Sequence, residues 1–530
     1  VSIVVGTGVP LAPQDAQTSA VGQTVVFGPE GLRFAKSVTL TIPFDPSSFG
    51  GDFSGLKVFT RDAKGRITAV PPPLTIDALA GTVSFPSSHF SGYRAFGPTK
   101  PVPGDLNGDG FADLVLPAPG DSEDAGAVYV YFGRADFLDN PPTAPDATFT
   151  APFMGPDFGC AIAVGDVNGD GQPDLVVGAK YGGPGAAYVF FGGPGFVGKS
   201  STQADVKLSG SSSDAHFGET IVVGDVTGDG APDVIVAAPY TSSVGVENGV
   251  VYVFKGGAAI ASIASDDASV IALTGPFDRD HLGVSMAVGD LNADGVADLA
   301  AGDQQLAGFA DGVVHVFLGG SSLASQTAGA TSIDFTGANH GDRFGDAVAI
   351  GDFNADGVAD LAVGAPFEDD AGASLTDVGK VHVFFGGTGL SGRDASQSDR
   401  VIRPGDVSDD AFGSSLAAGN VTGNATTDLL AAAPGYDAGI GDEGKLYALL
   451  GGPNFGSSID GYSAFTATDR FGNLFQPVDL DGDGRAEVIA SSPNHANGAG
   501  VVVVRFGPSI GSDRQLIFDG NAGQRLGGKD

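Results

Sequence analysis

One nine-residue pattern of acids, Asn and Gly, recurring seven times, limits this chain more than any other feature. It first reads GDLNGDGFADLVLPAPG at 104–120. It returns as GDVNGDGQPDLVVGAK from Gly165, GDVTGDGAPDVIVAAP from Gly224, GDLNADGVADLAAGD from Gly289 and GDFNADGVADLAVGAP from Gly351. GNVTGNATTDLLAAAP follows from Gly419 and VDLDGDGRAEVIASSP from Val478. The first acidic or amide position falls at Asp105, Asp166, Asp225, Asp290, Asp352, Asn420 and Asp479, with gaps of 61, 59, 65, 62, 68 and 59 residues. A steady period of this length marks a repeat architecture, in which each unit buries its apolar surface against its neighbours. The units are numbered here repeat 1 to repeat 7.

Each unit has one grammar. In 217–274, FGETIVVGD alternates like a strand, the acidic loop runs from Asp225 to Asp233, VIVAAP is a short continuous apolar strand, GVVYVFKGG is a third and SVIALTG a fourth. With 85 Gly and 32 Pro among 530 residues, the composition suits many short strands joined by turns. Four short antiparallel strands in every unit predict an all-β chain folded as a seven-bladed β-propeller. No apolar run of about 18 residues is present to cross a membrane as a helix.

Calcium takes six to eight oxygens in flexible geometry. The loop offers side-chain oxygens at positions 1, 3, 5 and 9 and a backbone carbonyl at position 7. In repeat 1 these are Asp105, Asn107, Asp109, Asp113 and the carbonyl of Phe111; in repeat 2, Asp166, Asn168, Asp170, Asp174 and Gln172. Repeat 3 offers Asp225, Thr227, Asp229, Asp233 and Ala231; repeat 4, Asp290, Asn292, Asp294, Asp298 and Val296. Repeat 5 offers Asp352, Asn354, Asp356, Asp360 and Val358; repeat 7, Asp479, Asp481, Asp483, Glu487 and Arg485. Gly at position 6 allows the sharp turn, as at Gly110 and Gly484. The first half reads like an EF-hand loop, but no Glu stands at position 12 and no helix follows. A solvated Asp/Asn/Gly turn explains one copy; it does not explain six in phase. Six Ca2+ sites are expected, with repeat 6 degenerate because Asn420 and Asn424 replace carboxylates and Ala425 replaces the turn glycine. The ions act as staples, not as Lewis acids.

A second element is phased with the first. Phe158-Gly159, Phe217-Gly218, Leu282-Gly283, Phe344-Gly345, Phe412-Gly413 and Phe471-Gly472 each begin eight residues before loop position 1, and a GAP-like element follows the loop, as at Gly364-Ala365-Pro366. In these features the chain resembles FG-GAP repeat proteins, with a propeller similar to the integrin α-subunit head. The resemblance implies calcium in the loops between first and second strands, an extracellular location, and adhesion or ligand binding. Repeat 1 departs from it: Phe96-Gly97 lies nine residues before Asp105, and Pro98, Pro101 and Pro103 interrupt the expected strand. The propeller is expected over 98–520. The tail 521–530, with Leu526-Gly527, either closes the ring or opens a further unit.

Residues 1–97 lack the repeat. An alternating strand from Val38 to Ile42, a hairpin around Asp62–Gly65 and the closing HFSGY at His89–Tyr93 resemble part of a ZU5-type β-sandwich. The chain opens on VSIVVGTGVP, with no initiator Met, and reads as a processed or truncated product.

The formal charge of −37 makes nucleic acid and anionic lipid poor partners, and neither nucleic acid nor direct membrane insertion is expected. Twelve positive charges from six divalent ions would leave −25. The single cysteine, Cys160, excludes a disulfide scaffold and reads as a small buried hydrophobe. Seven scattered His lack zinc spacing, and no P-loop or G-x-S-x-G elbow is present. The N-x-T sequons at Asn420 and Asn424 both fall in the degenerate loop. No catalytic constellation is found, so a non-enzymatic, secreted or cell-surface binding protein is expected. Its partner would be a protein, a glycan or neighbouring subunits. A filament module and an accessory domain of a secreted hydrolase or lyase are the alternatives.

Because strands alternate direction, the loops joining second to third strands lie on the face opposite the calcium loops. They vary most in length, and Glu123, Asp124, Glu368, Asp369, Asp370, Asp442 and Glu443 would make that face anionic and a candidate ligand face.

Overall fold

The structure is a computed structural model. It describes 102–119, 125–152, 157–243, 245–303, 311–370, 375–403, 409–424, 426–436, 444–456, 459–463, 472–474, 476–492, 500–505 and 515–519. Of the first hundred residues it describes 18–20, 25–26, 33–43, 57–61, 67–70, 74–77, 79–80, 82–89 and 92–98. The chain divides into two compact units, Val1–Val102 with Gly108–Gly110, and Pro103–Asn107 with Phe111–Asp530.

The first unit holds two antiparallel sheets. In one, Arg33–Pro43 pairs with Thr82–His89, which pairs with Thr75–Asp77. Leu40 and Ile42 are buried while Thr39 and Thr41 are exposed, the alternation of a strand with one dry face. In the other, Gly92–Pro98 is flanked by Thr18–Ala20 and Lys57–Arg61, and the latter turns back onto Ile67–Ala69. Phe96 pairs with Lys57 and Ala20 in this sheet. Phe96-Gly97 therefore belongs to a strand of this sheet, where repeat 1 departs from the pattern of the other repeats. Prolines at 98, 101 and 103 remove the amide donors that an inner strand would need. Among the described residues the sheet of repeat 1 has three strands, Leu114–Ala118, Ala127–Tyr131 and Ala147–Thr150.

The second unit is a succession of seven such sheets among the described residues. Repeat 3 is representative: Thr220–Gly224, Asp233–Ala238, Val250–Phe254 and Ile271–Thr274 pair antiparallel in chain order. The second strand is buried at every residue in repeats 2 to 6, because both faces of the sheet are covered. Helical structure among the described residues is limited to 3-10 turns at Ser201–Gln203 and Ala395–Gln397.

Adjacent sheets share their cores. Val128 and Phe149 of repeat 1 pack with Leu175, Val177 and Phe190 of repeat 2. The same relation joins repeats 2 and 3, 3 and 4, 4 and 5, 5 and 6, and 6 and 7. Ile489, Val502 and Val504 of repeat 7 then pack with Leu114, Leu116 and Phe137 of repeat 1, which closes the succession.

The two sequence elements that accompany the loop have a steric explanation. The Phe or Leu is fully buried at 158, 217, 282, 344 and 412. The glycine after it is left-handed, with φ +96° at Gly218 and +93° at Gly345. Its carbonyl abuts the second strand of the preceding repeat: a Cβ at Gly178 would stand 2.1 Å from the Gly218 carbonyl oxygen, and one at Gly364 2.0 Å from that of Gly413. The glycine of GAP therefore meets the glycine of FG backbone to backbone, from one sheet to the next.

Repeats 2, 3 and 4 carry a fifth strand that the four-stranded expectation did not include. Ile263–Ala264 of repeat 3 lies parallel to the outer strand Val206–Ser209 of repeat 2. Gln326–Thr327 and Arg393–Asp394 do the same one and two repeats on. An outer strand otherwise leaves a row of backbone groups unpaired, and this device covers it.

Candidate functional site

The acidic loops are the candidate metal sites, and position 9 organises each of them. Asp174, Asp233, Asp298, Asp360 and Asp428 are fully buried, and Asp113 and Glu487 nearly so. Each is the first residue of the second strand or stands just before it. In repeat 2, Oδ2 of Asp174 accepts the N–H of Val167 at 2.9 Å and of Asn168 at 3.1 Å, while Oδ1 accepts that of Gly192 at 2.9 Å. The bond to position 2 recurs at Leu106, Val226, Leu291, Phe353, Val421 and, from Glu487, Leu480. Burial pushes Asp174 up to about 7 and Glu487 up to about 9.

Position 1 closes the turn. Asp166 accepts the N–H of Gly169 and Asp170 on Oδ1 and of Gly171 on Oδ2, all within 3.0 Å. Asp225, Asp290, Asp352 and Asp479 accept equivalent bonds. Position 3 joins the acids: Nδ2 of Asn292 lies 3.0 Å from Asp294 and 3.5 Å from Asp298, and Asn168 and Asn354 bridge likewise. In repeat 7, Asp479, Asp481, Asp483 and Glu487 each offer a carboxylate oxygen, and these four lie within 4.8 Å of one another. The donors are all oxygen and mostly anionic, at a sharp turn, which fits a hard cation such as calcium.

The loops do more than gather acids. The residue at position 2 is an apolar plug in the core between its own repeat and the next: Leu106, Val167, Val226, Leu291, Phe353, Val421 and Leu480. Its carbonyl accepts an N–H from the next repeat, from Gly193 to Leu106, Gly257 to Val167, Gly320 to Val226, Gly387 to Leu291 and Gly452 to Phe353, at 2.8 to 2.9 Å. Arg134 of repeat 1 donates to Leu480 of repeat 7 at 2.9 Å. An ion that fixes this loop would also hold two sheets together.

Repeat 6 keeps the turn without the charge. Asn420 accepts the N–H of Gly423, Asn424 accepts the N–H and hydroxyl of Thr426, and Thr422 donates to Asp428. The Arg485 side chain of repeat 7 lies over Gly423, where a Cβ would stand 2.5 Å from its Nε. That cation beside an already depleted loop further disfavours a metal there.

The candidate ligand face needs revision at two residues. Glu368 is buried, held by Lys380 Nζ at 2.6 Å and His382 Nε2 at 2.7 Å, so its charge is neutralised inside repeat 5. Asp370 pairs with Arg403. Asp369 is exposed and accepts the N–H of Asp377. Glu123, Asp124, Asp442 and Glu443 lie outside the described residues. Cys160 is half-buried, donates to the Gly218 carbonyl at 3.3 Å, and burial pushes its thiol up to about 12.

Two buried histidines were not singled out from the sequence. His315 and His382 occupy the third-strand place that Tyr129, Tyr188, Tyr252 and Tyr447 fill elsewhere, and this irregularity was the available signal. His315 lies 2.8 Å from Asp334 and 3.5 Å from Asp303. Burial alone would lower its pKa, but the two carboxylates override it and hold the ring at about 9. Its contribution to stability is therefore complete below about pH 6.5 and lost as pH rises through about 9. Melting curves from pH 7 to 10 should show a decline of stability, on the order of 3 kcal/mol, that His315→Gln removes. Equal slopes for the two proteins would refute this role.

Five segments, 97–131, 158–190, 217–254, 344–384 and 412–449, match the FG-GAP repeat model. Human phosphatidylinositol-glycan-specific phospholipase D is 27% identical over 423 residues, covering 73% of this chain and 42% of its own length. Integrin alpha-PS5 of Drosophila melanogaster is 35% identical over 150 residues, 26% of this chain and 14% of its own. Human integrin alpha-8 is 27% identical over 275 residues, 45% and 25% of the two chains. This chain thus spans less than half the length of these relatives. Fold and loops together define an all-β repeat protein whose sheets are stapled by acidic turns. The chain carries FG-GAP repeats similar to those of integrin alpha chains, and such repeats imply a β-propeller fold. No helix among the described residues is long and apolar enough to cross a membrane.

Proposed function

We propose that the chain is an extracellular binding module whose propeller is held together by calcium in repeats 1 to 5 and 7. The observation that carries this reading is the dual role of each loop: its acids converge on one turn while its second residue plugs and hydrogen-bonds the seam to the next sheet. Binding the ions would supply rigidity and neutralise acids; no chemical step passes through them. A rigid disc then presents the loops between second and third strands as a ligand face, with Asp369 as the exposed acid among the described candidates. The anionic balance favours a protein with a basic patch or an amine-bearing glycan. Residues 1–97 serve as a partial ZU5-like stalk or interaction module. The likeness to integrin alpha chains supports an extracellular setting.

The likeness to a phospholipase D over 73% of this chain favours a second reading, in which the propeller is the accessory domain of a secreted hydrolase. Arrays of glycans and basic proteins, probed with the calcium-loaded chain and with Asp369→Asn, test the first reading. Calcium-dependent binding weakened by the substitution is expected. No calcium-dependent binding to either array would overturn it.

A further inference from the structure

The six intact loops are not equivalent, and the difference coincides with the place where the succession of sheets closes. Repeats 1 to 5 each combine three carboxylates with one Asn or Thr at position 3. Repeat 7 has Asp481 at position 3 and Glu487 at position 9, giving four carboxylates. More anionic oxygens in one loop raise affinity for a divalent ion. The same loop lies at the seam between the last sheet and the first: Leu480 packs with Leu114, Leu116 and Phe137, and its carbonyl accepts the Arg134 N–H.

Among the described residues, this seam has its buried cluster and the Tyr131–Phe518 ring contact but not the packed first strands that join repeats 2 to 6. Between repeats 2 and 6 the first strands, from Ile162–Gly165 to Leu416–Gly419, pack on one another in turn. At the closure, the first strand of repeat 7 is Asn473–Leu474, paired over two residues. The sheet of repeat 1 has no described first strand of its own. Among the described residues no strand of repeat 7 joins the sheet of repeat 1.

Resting on the calcium reading above, we propose that the repeat 7 loop is the clasp of the ring. It is the tightest calcium site, it fills first and empties last, and its ion holds repeat 7 to repeat 1. Between repeats 2 and 6 an ion reinforces a contact that packed first strands already make. At the closure the ion fixes Leu480, and with it the plug and the hydrogen bond that join the two ends of the propeller.

The test uses the full chain and calcium alone. Native mass spectrometry under graded chelation gives the number and order of ions, and hydrogen exchange reports the seam amides of Leu114–Ala118, Arg134 and Val501–Arg505. Asp481→Asn gives repeat 7 the three-carboxylate composition of the other loops without removing an oxygen ligand. Its effect should be loss of the tightest class of ion, roughly ten- to hundredfold weaker, with faster exchange confined to the seam at calcium levels that leave the wild type protected. Asn292→Asp, which adds a fourth carboxylate to repeat 4, should create a second tight site and leave the seam unchanged. A tightest ion that survives Asp481→Asn, or seam amides that exchange no faster when it is lost, would overturn the clasp. If no calcium binds to the wild type at all, the calcium reading itself fails, a distinct result.

Discussion

Stripping calcium should lower the melting temperature by on the order of 15 °C, the largest single effect expected for this protein. An ion bound to the native state alone stabilises it by about 2.7 kcal/mol at a hundredfold excess over Kd. Six independent sites would together contribute about 16 kcal/mol, as much as the whole stability of many domains. The structure says why so much should depend on them. Without the ion each intact loop holds three or four carboxylates in one turn, and each turn carries a plug between two sheets. Differential scanning calorimetry with and without chelator measures the effect. Superimposable curves would mean that the loops hold their shape by backbone hydrogen bonds alone.

Asp174→Ala should be the most damaging single substitution in repeat 2, and damaging with or without calcium. The carboxylate accepts three backbone N–H groups, from Val167, Asn168 and Gly192. A buried donor left without a partner costs about 1–3 kcal/mol. Partial relaxation leaves a net loss of roughly 3–5 kcal/mol in chelator, before any loss of the ion. Asp170→Ala is the contrast. Asp170 is exposed and accepts Gln172 N–H at the surface. Its removal should be costly in calcium and nearly silent, within about 0.5 kcal/mol, in chelator. Denaturant unfolding of both variants in both conditions separates the two roles. Equal losses for Asp170→Ala and Asp174→Ala in chelator would show that position 9 has no organising role of its own.

Much of this was legible before any coordinates. Period, strand grammar and the acids at positions 1, 3, 5 and 9 are local features, repeated until chance is a poor explanation. The rest depends on which strand meets which. Leu106 and Leu480 read as ordinary apolar residues inside an acidic loop; only the neighbouring sheet shows them to be plugs whose carbonyls pair across a seam. Phe96-Gly97 has the same letters as the other FG pairs, but prolines after it free the strand to pair with Lys57 and Ala20 instead. Glu368 reads as a loop acid because charge is visible in sequence, whereas the reach of Lys380 and His382 across the strand pair is not. The parallel strands at Ile263–Ala264 and Gln326–Thr327 are two residues long, too short for any periodicity to reveal.

The most direct measurement is a count of ions by native mass spectrometry at saturating calcium, repeated on a protein whose repeat 6 loop has been restored by Asn420→Asp, Asn424→Asp and Ala425→Gly. Six calcium ions are predicted for the natural sequence, at repeats 1 to 5 and 7, and a seventh only after the restoration. Seven ions in the natural protein, or fewer than two, would contradict the account of acidic turns as calcium staples between sheets.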